Sequence, residues 1–285
     1  MLVPVNAGGQ APPDVPGVTH EWIDAGGLRT HVALAGPADA PPLLMVHGWP
    51  QHWWCWREVI AGLSDRYRII APDLRGHGWT DAPHDGYAKT QFSADILALL
   101  DALGIDKVTW LGHDWGAHAG WITAYQHPER LERLVACCVP PIFSRDRSVR
   151  SLLFLLSYQG PISTPFLGSM LVRRGLARKV LDVARVKGEW TEQELATYDD
   201  IFRSRPYVTV AVYRTFLLRE LPKLARGPYK ADDLRVPATL LVGDRDRITR
   251  SVTSELYPEV EIVRVPGVGH FLPEEDPAAV VAALS

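Results

Sequence analysis

The stretch that decides the fold is "VTWLGHDWGAHAGWITAY", residues 108 to 125. An apolar run reaches Leu111, breaks at "GHDWG" (112–116), and is followed by apolar residues at helical spacing. This pattern predicts a buried strand, a sharp turn and a helix. The two glycines permit the turn and let the helix pack closely on the strand. We expect the corner to project the Asp114 side chain above the sheet, at a helix N-terminus that favours its ionised form.

Strands and helices alternate on both sides of this corner. A β-hairpin is predicted over 20–36, and buried strands lie within "PLLMVHG" (42–48), "YRIIAPDLRGHG" (67–78) and "LERLVACCV" (131–139). The segment "QFSADILALLDALGI" (91–105) has the spacing of an amphipathic helix. This alternation predicts an α/β fold with a mostly parallel central sheet and helices on both faces.

The alternation is interrupted between 140 and 231, where helical patterns broken by proline and glycine replace any strand pattern. It resumes at "ATLLVGDRD" (238–246). We therefore predict a helical cap domain over 140–231, inserted into an α/β core formed by 19–139 and 232–285. Residues 1–18 are rich in proline and glycine and are predicted to be a flexible tail.

Composition narrows the class of protein. The 285 residues are 47% hydrophobic and 22% charged, with a net charge of −3, so neither nucleic acid nor a membrane is an expected partner. The N-terminus lacks the pattern of a signal peptide. The three cysteines, an odd number with two adjacent, are interpreted as free packing residues (Cys55, Cys137 and Cys138). These features predict a cytoplasmic protein.

Five of the ten tryptophans lie in or near "HGWPQ" (47–51) and the Asp114 corner, namely Trp49, Trp53, Trp54, Trp56 and Trp115. Core filling is the ordinary explanation for tryptophans. The alternative is an aromatic-walled pocket for an apolar ligand.

Two further polar residues follow strands late in the chain. Asp246 comes after the penultimate predicted strand and His270 after the last, in "VPGVGHF". Taken alone, Asp114 is equally well explained as a helix N-cap. However, many hydrolases carry a nucleophile at such a corner, followed along the chain by an acid and a histidine. Asp114, Asp246 and His270 have this order, and Asp244 is the alternative acid.

The segment "HGWPQ" follows the strand at 42–48. In this layout, a backbone amide after that strand and the amide after the nucleophile form an oxyanion hole. Those amides are predicted to be the ones of Trp49 and Trp115. The Trp49–Pro50 bond is a candidate for a cis peptide, because tight X–Pro turns are where cis bonds occur.

With these motifs, the chain resembles the α/β-hydrolase-fold epoxide hydrolases. The resemblance covers nearly all of the chain after residue 20 and rests on HGWP, DLRGHGWTD, GHDWG, GDRD and GVGHF. The family implies a cap with two tyrosines that donate hydrogen bonds to the epoxide oxygen. "AVYRTF" and "SYQGP" are similar to the two cap signatures and indicate Tyr213 and Tyr158, with Tyr198 or Tyr207 as alternatives to Tyr158.

The resemblance also implies a mechanism. Asp114 opens the epoxide and forms an ester, and His270, oriented by Asp246, activates water to hydrolyse that ester to a vicinal diol. The Trp49 and Trp115 amides hold the oxyanion. The expected partners are a small apolar epoxide and water, and no cofactor or metal is expected. A homodimer is a possible oligomeric state. The substrate-binding residues expected are Trp49, Trp115, Tyr158 and Tyr213.

Three other functions compete with this hypothesis. Haloalkane dehalogenases share the aspartate nucleophile, but they usually carry Asn where this chain has Trp49, although Trp115 still offers an indole N–H. Fluoroacetate dehalogenases resemble the HGWPQ region but carry Arg after the nucleophile. A non-catalytic binding protein on a hydrolase scaffold often lacks one triad member, and none is missing here. Release of halide distinguishes the dehalogenases.

Overall fold

The computed structural model describes residues 9–142 and 149–284. Its centre is one eight-stranded sheet of order β1-β2-β4-β3-β5-β6-β7-β8. The strands are β1 (Thr19–Ala25), β2 (Leu28–Ala35), β3 (Pro42–Val46), β4 (Arg68–Pro72), β5 (Val108–His113), β6 (Leu131–Cys137), β7 (Ala238–Gly243) and β8 (Glu261–Val265). Strands β1 and β2 form the predicted hairpin, and β2 is also antiparallel to β4. All the other pairs are parallel, which confirms the mostly parallel sheet.

The sheet separates two apolar layers. In β3, Leu43 and Met45 face one layer, and Leu44 and Val46 face the other. Both pairs are fully buried, which explains why this strand is a continuous apolar run rather than an alternating one. The helices of the α/β part are α1 (Arg57–Leu63), α2 (Lys89–Ala102), α3 (Trp115–Gln126), α10 (Leu272–Glu275) and α11 (Pro277–Ala282). Helices α2 and α3 cover one face of the sheet, and α1 and α11 cover the other.

Helices fill the described part of the chain between β6 and β7. They are α4 (Val149–Ser163), α5 (Pro165–Arg173), α6 (Leu176–Ala184), α7 (Glu192–Ser204), α8 (Pro206–Thr215) and α9 (Leu221–Leu224). A π-helical turn at Phe216–Glu220 follows α8. Helix α8 packs against α4 and α5. Residues 143–148 of the predicted cap lie outside the described residues.

Residues 9–18, the described part of the predicted tail, lie against the rest of the protein. The indole nitrogen of Trp79 donates a hydrogen bond to the Gln10 carbonyl at 2.7 Å. Val15 and Val18 pack on the apolar layer that contains α1. Residues 1–8 lie outside the described residues.

The three cysteines are buried and free, as the sequence predicts. Within 9–142 and 149–284, no helix has both the length and the apolar character needed to cross a bilayer.

Candidate active site

Asp114 occupies the corner between β5 and α3. Its backbone has φ 48° and ψ −119°, a region that residues other than glycine rarely adopt. A Cβ atom at Gly116 would lie 2.1 Å from the Val46 carbonyl oxygen, so only glycine lets α3 start this close to β3. The predicted strand–turn–helix is confirmed, and the corner presents a carboxylate whose side chain is 14% exposed.

Two backbone amides point at this carboxylate. The Trp49 N–H donates to Asp114 Oδ1 at 2.8 Å. The Trp115 N–H also donates to the Asp114 carboxylate. The Trp49–Pro50 peptide bond is cis, as the sequence suggested. The structure thus brings together the two amides that the motifs singled out.

His270 lies between two carboxylates. Its Nε2 atom is 3.7 Å from Asp114 Oδ2, and its Nδ1 atom is 3.3 Å from Asp246 Oδ1. Three residues that lie at positions 114, 246 and 270 of the chain therefore meet at the carboxyl edge of β5, β7 and β8. They are the three residues that the sequence predicted as nucleophile, acid and base, in that order along the chain.

Asp246, and not Asp244, is the carboxylate beside His270. Asp246 is 3% exposed, and Thr249 holds its Oδ2 atom through its hydroxyl at 2.6 Å and its N–H at 3.2 Å. The Ile248 N–H donates to its Oδ1 atom at 3.1 Å. Asp244 instead accepts a hydrogen bond from the Gly267 N–H at 2.8 Å. These contacts orient Asp246 toward the imidazole.

The two carboxylates and the imidazole stabilise each other's charged forms. Burial lowers the pKa of His270, but the charge of Asp246 and the contact with Asp114 outweigh burial and raise that pKa to about 10. Burial raises the pKa of Asp114, but its contact with His270 outweighs this and holds that pKa below its ordinary value. At neutral pH, the site therefore holds an imidazolium between two carboxylates.

This charge arrangement predicts a pH-dependent stability. Because the pKa of His270 rises from 6.5 to about 10 on folding, its stabilising contribution is complete below 6.5 and is lost as the pH rises through about 10. We expect the free energy of unfolding of the wild type to exceed that of His270→Gln most below pH 6.5, and the difference to shrink toward pH 10. Urea unfolding across this range measures it. A difference that grows with pH would contradict the assignment.

Tyr213, on α8, lies near Asp114 between two indoles. Its ring centroid is 5.3 Å from that of Trp49 and 5.5 Å from that of Trp115, edge-on in both cases. Tyr158, on α4, is the next ring, with its centroid 6.4 Å from that of Tyr213. Gln159 Nε2 donates a hydrogen bond to the Tyr158 hydroxyl at 2.7 Å.

The hydroxyl groups of the two alternative tyrosines, Tyr198 and Tyr207, make hydrogen bonds away from Asp114. Tyr198 is fully buried and its hydroxyl donates to Glu274. The Tyr207 hydroxyl donates to the Ala82 carbonyl at 2.6 Å. Of the tyrosines weighed from the sequence, the structure therefore brings only Tyr158 and Tyr213 together.

Both tyrosines are held in the protonated form. Burial, together with the charge of Asp114, raises the pKa of Tyr213 well above its ordinary value. Burial likewise raises the pKa of Tyr158, with a smaller opposing effect from Gln159. A phenol that stays protonated near a carboxylate is a hydrogen-bond donor over the whole neutral range.

The tryptophans divide into two groups. Trp49 and Trp115 border Asp114, which agrees with the predicted aromatic wall of a pocket. Trp53 and Trp56 are fully buried in the apolar layer that contains α1, and Trp54 packs against Tyr198. The aromatic-wall interpretation therefore fits two of the five tryptophans, while Trp53 and Trp56 fill the interior and Trp54 is partly buried against it.

Lys89 is a buried residue that the sequence analysis missed. It starts α2 and is fully buried, with Nζ 2.8 Å from the Val212 carbonyl oxygen and 3.1 Å from Glu220 Oε2. Its ammonium group also lies 4.2 Å from the centre of a Trp115 ring. Burial lowers its pKa to about 8 although Glu220 opposes this. A lysine at the start of an amphipathic helix is normally exposed, so no sequence signal distinguishes this one.

One cluster of metal-ligand side-chain types occurs among the described residues. Cys138, Asp246 and His270 place one ligand atom each within 4.8 Å of one another. Burial raises the pKa of the Cys138 thiol well above its ordinary value, which keeps it a neutral thiol and a poor ligand. Asp246 and His270 are already paired. The donor set fits an acid–base pair better than a metal centre.

Comparison with known proteins places the chain in a family. The model of the alpha/beta hydrolase fold matches residues 41–277. The chain is 31% identical over 280 residues to the soluble epoxide hydrolase of Corynebacterium sp. (strain C12), covering 93% of this chain and 95% of that protein. The ligand-free epoxide hydrolase CorEH has 29% sequence identity and a TM-score of 0.81, covering 94% of this chain and 97% of its own. The epoxide hydrolase VrEH1 from Vigna radiata has 27% identity and a TM-score of 0.80, with the same two coverages. The chain belongs to the epoxide hydrolase family of the α/β hydrolase fold.

Proposed function

We propose that this protein hydrolyses an apolar epoxide to a vicinal diol through a covalent ester on Asp114. The observation that carries the proposal is the orientation of the Asp114 carboxylate. One oxygen, Oδ1, accepts the Trp49 amide at 2.8 Å, whereas Oδ2 faces the imidazole of His270 at 3.7 Å. Family membership supports the same reaction. In this proposal, residues 140–231 are the cap that covers the site.

Ring opening uses the oxygen that the Trp49 amide does not bind. Asp114 Oδ2 attacks an epoxide carbon, the C–O bond to that carbon breaks, and the Tyr213 and Tyr158 hydroxyls donate to the oxygen that leaves as an alkoxide. Ring strain makes the epoxide reactive toward a weak carboxylate nucleophile. A proton from one of the tyrosines, or from the imidazolium through solvent, yields the hydroxyl of the ester intermediate.

Ester formation changes the protonation of His270. The Asp114 carboxylate is one of the two groups that raise the pKa of this imidazole. Once Asp114 becomes a neutral ester, its charge no longer stabilises the imidazolium. Burial then favours the neutral imidazole. Neutral His270, held by Asp246, then takes a proton from a water that attacks the Asp114 carbonyl carbon. The oxyanion forms on Oδ1, where the Trp49 and Trp115 amides stabilise it.

Tyr213→Phe is expected to slow ring opening, because it removes one donor to the developing alkoxide. Loss of an oxyanion donor costs about 2–4 kcal/mol of transition-state stabilisation. Single-turnover measurement of ester formation reports this step directly. Tyr207→Phe is the matched control on the same helix, because its hydroxyl is bonded to the Ala82 carbonyl instead. Equal ester-formation rates in the Tyr213→Phe variant and the wild type would show that Tyr213 only packs.

The test of the function is a panel of apolar epoxides scored for diol formation, with haloalkanes and fluoroacetate scored for halide release. Diol formation that saturates with epoxide supports the proposal. Turnover of the halogenated compounds alone would move the protein to the dehalogenases. No turnover of any of these compounds by folded protein would overturn the proposal.

A further inference from the structure

Glu275 is a buried carboxylate next to the site that the proposed mechanism does not use. It lies at the end of α10, five residues after His270, and is 4% exposed. Its two oxygens accept four backbone N–H groups from two separate segments of the chain. A buried carboxylate with that many donors is fully satisfied and holds its partners rigidly.

Two of these donors are the amides on either side of His270. The Gly269 N–H donates to Glu275 Oε2 at 2.9 Å, and the Phe271 N–H donates to Oε1 at 3.0 Å. One carboxylate therefore holds the backbone N–H groups of the residue before the histidine and of the residue after it. His270 is also held through its carbonyl, which accepts a hydrogen bond from His113 Nε2 at 2.8 Å. These contacts set the direction in which the imidazole leaves the backbone.

The other two donors come from the helical segment between β6 and β7. The Val186 N–H and the Lys187 N–H both donate to Glu275 Oε2, at 2.9 Å and 2.8 Å. The same segment accepts the His270 N–H through the Ala184 carbonyl at 3.3 Å. A Cβ atom at Gly269 would lie 2.6 Å from that carbonyl oxygen, so the two segments are in direct contact.

We propose that Glu275 is a positioning residue that couples the orientation of His270 to the packing of residues 184–187 against the core. This segment is called seated when it packs there. The inference rests on the proposed function, in which His270 is the base for ester hydrolysis. When the 184–187 segment is seated, Glu275 Oε2 is satisfied by both segments, and the imidazole is aligned with Asp246 and Asp114. When that segment moves away, the carboxylate loses two of its four donors, and the loop that carries His270 loses its support.

The neighbouring residue Glu274 provides a matched control. It is also buried, and its carboxylate is bonded to the Arg57 guanidinium at 2.7 Å, to Gln51 at 3.3 Å and to the Tyr198 hydroxyl. This network joins the core to α7, but none of its members bonds an amide that flanks His270. Loss of Glu274 therefore loosens packing at the same helix without releasing the histidine loop.

Glu275→Gln keeps the shape of the side chain but presents an NH₂ group to amides that need an acceptor. Because ester hydrolysis needs His270 as a base and ring opening needs no base, the variant is expected to retain ring opening within about threefold and to lose up to about 100-fold in the hydrolysis rate, as misplacement of a catalytic group does. The alkyl-enzyme ester then accumulates during turnover. A merely structural role would slow both steps together or neither.

The experiment follows both half-reactions in quenched single-turnover samples of the full chain by intact-protein mass spectrometry. An apolar epoxide that the wild type turns over is the substrate. Slow hydrolysis with normal ring opening in Glu275→Gln, but not in Glu274→Gln, supports the proposal. Equal hydrolysis rates in Glu275→Gln and wild type, or the same defect in both variants, overturn it. A wild type that forms no ester at all overturns the proposed function, and that outcome is distinct from either result.

Val186→Pro tests the contact between Glu275 and residues 184–187. This variant remains informative if Glu275→Gln fails to fold. The change removes one N–H donor from the 184–187 segment, and Arg185 before it already has φ −76° and ψ 138°, which suits a residue preceding proline. The Val186 side chain is 51% exposed, so little packing is lost. A reduced hydrolysis rate with an unchanged rate of ring opening supports the proposal. If both rates are unchanged, the contact of residues 184–187 with Glu275 does not affect the orientation of His270.

Discussion

Asp114→Ala is expected to abolish diol formation, with a loss of at least about 10⁴-fold in kcat, the scale seen when a catalytic nucleophile is removed. Asp246 cannot replace it, because Thr249 holds the Asp246 carboxylate on the far side of His270. The fold is expected to survive, since the Asp114 side chain belongs to the site and not to the apolar core. Product assays on purified variant, with circular dichroism to verify folding, measure both expectations.

Asp114→Asn is the closer control for this loss. It preserves side-chain size at the strained backbone position and keeps an oxygen for the Trp49 amide, but it removes the nucleophilic charge. Both variants are expected to be inactive and folded. Turnover near the wild-type rate in either purified variant would falsify the proposed role of Asp114 as the nucleophile.

His270→Gln is expected to separate the two half-reactions. Ring opening needs Asp114 ionised and the tyrosines protonated, and it needs no base. Ester hydrolysis needs the base, since water alone is a poor nucleophile toward an ester. The alkyl-enzyme ester is therefore expected to accumulate to nearly one equivalent. Intact-protein mass spectrometry detects it, and a peptide digest is expected to place the adduct on Asp114.

The mass of the adduct also discriminates between substrate classes. An epoxide keeps its oxygen when the ring opens, so the protein gains the full mass of the substrate. A haloalkane loses halide, so the gain is the substrate mass less that of hydrogen halide. Adducts from haloalkanes alone would assign the protein to the dehalogenases. If neither class forms an adduct in folded His270→Gln, the carboxylate-alkylation mechanism is wrong.

Local patterns in the chain were sufficient for the elements that build the site. The corner at Asp114 was predictable because a buried strand, two glycines and a helical repeat occur in consecutive residues. The positions of Asp246 and His270 followed from their place after strands, since parallel strands deliver the residues at their carboxyl ends to one edge. The choice between Asp244 and Asp246 required coordinates, because it depends on which carboxylate faces the imidazole after the chain leaves β7.

The helical segment between β6 and β7 shows what local patterns leave undecided. Its helices were predictable, but the choice of Tyr158 over Tyr198 or Tyr207 was not, since a tyrosine in a helix has the same local pattern whether it faces the site or the Glu274 network. Lys89 and Glu275 carry no sequence signal for the same reason. Lys89 is buried only because the segment around Val212 and Glu220 folds over it.

The sequence by itself therefore determined the α/β architecture, the corner that carries Asp114, and the candidates for base and acid, because each depends on residues that are adjacent in the chain. Only the tertiary structure decided which tyrosines meet near Asp114, which aspartate pairs with His270, and how Glu275 joins residues 184–187 to the His270 loop. Those contacts join residues that lie between 24 and 99 positions apart along the chain. Their geometry is set by how helices pack on the sheet, which no local pattern encodes.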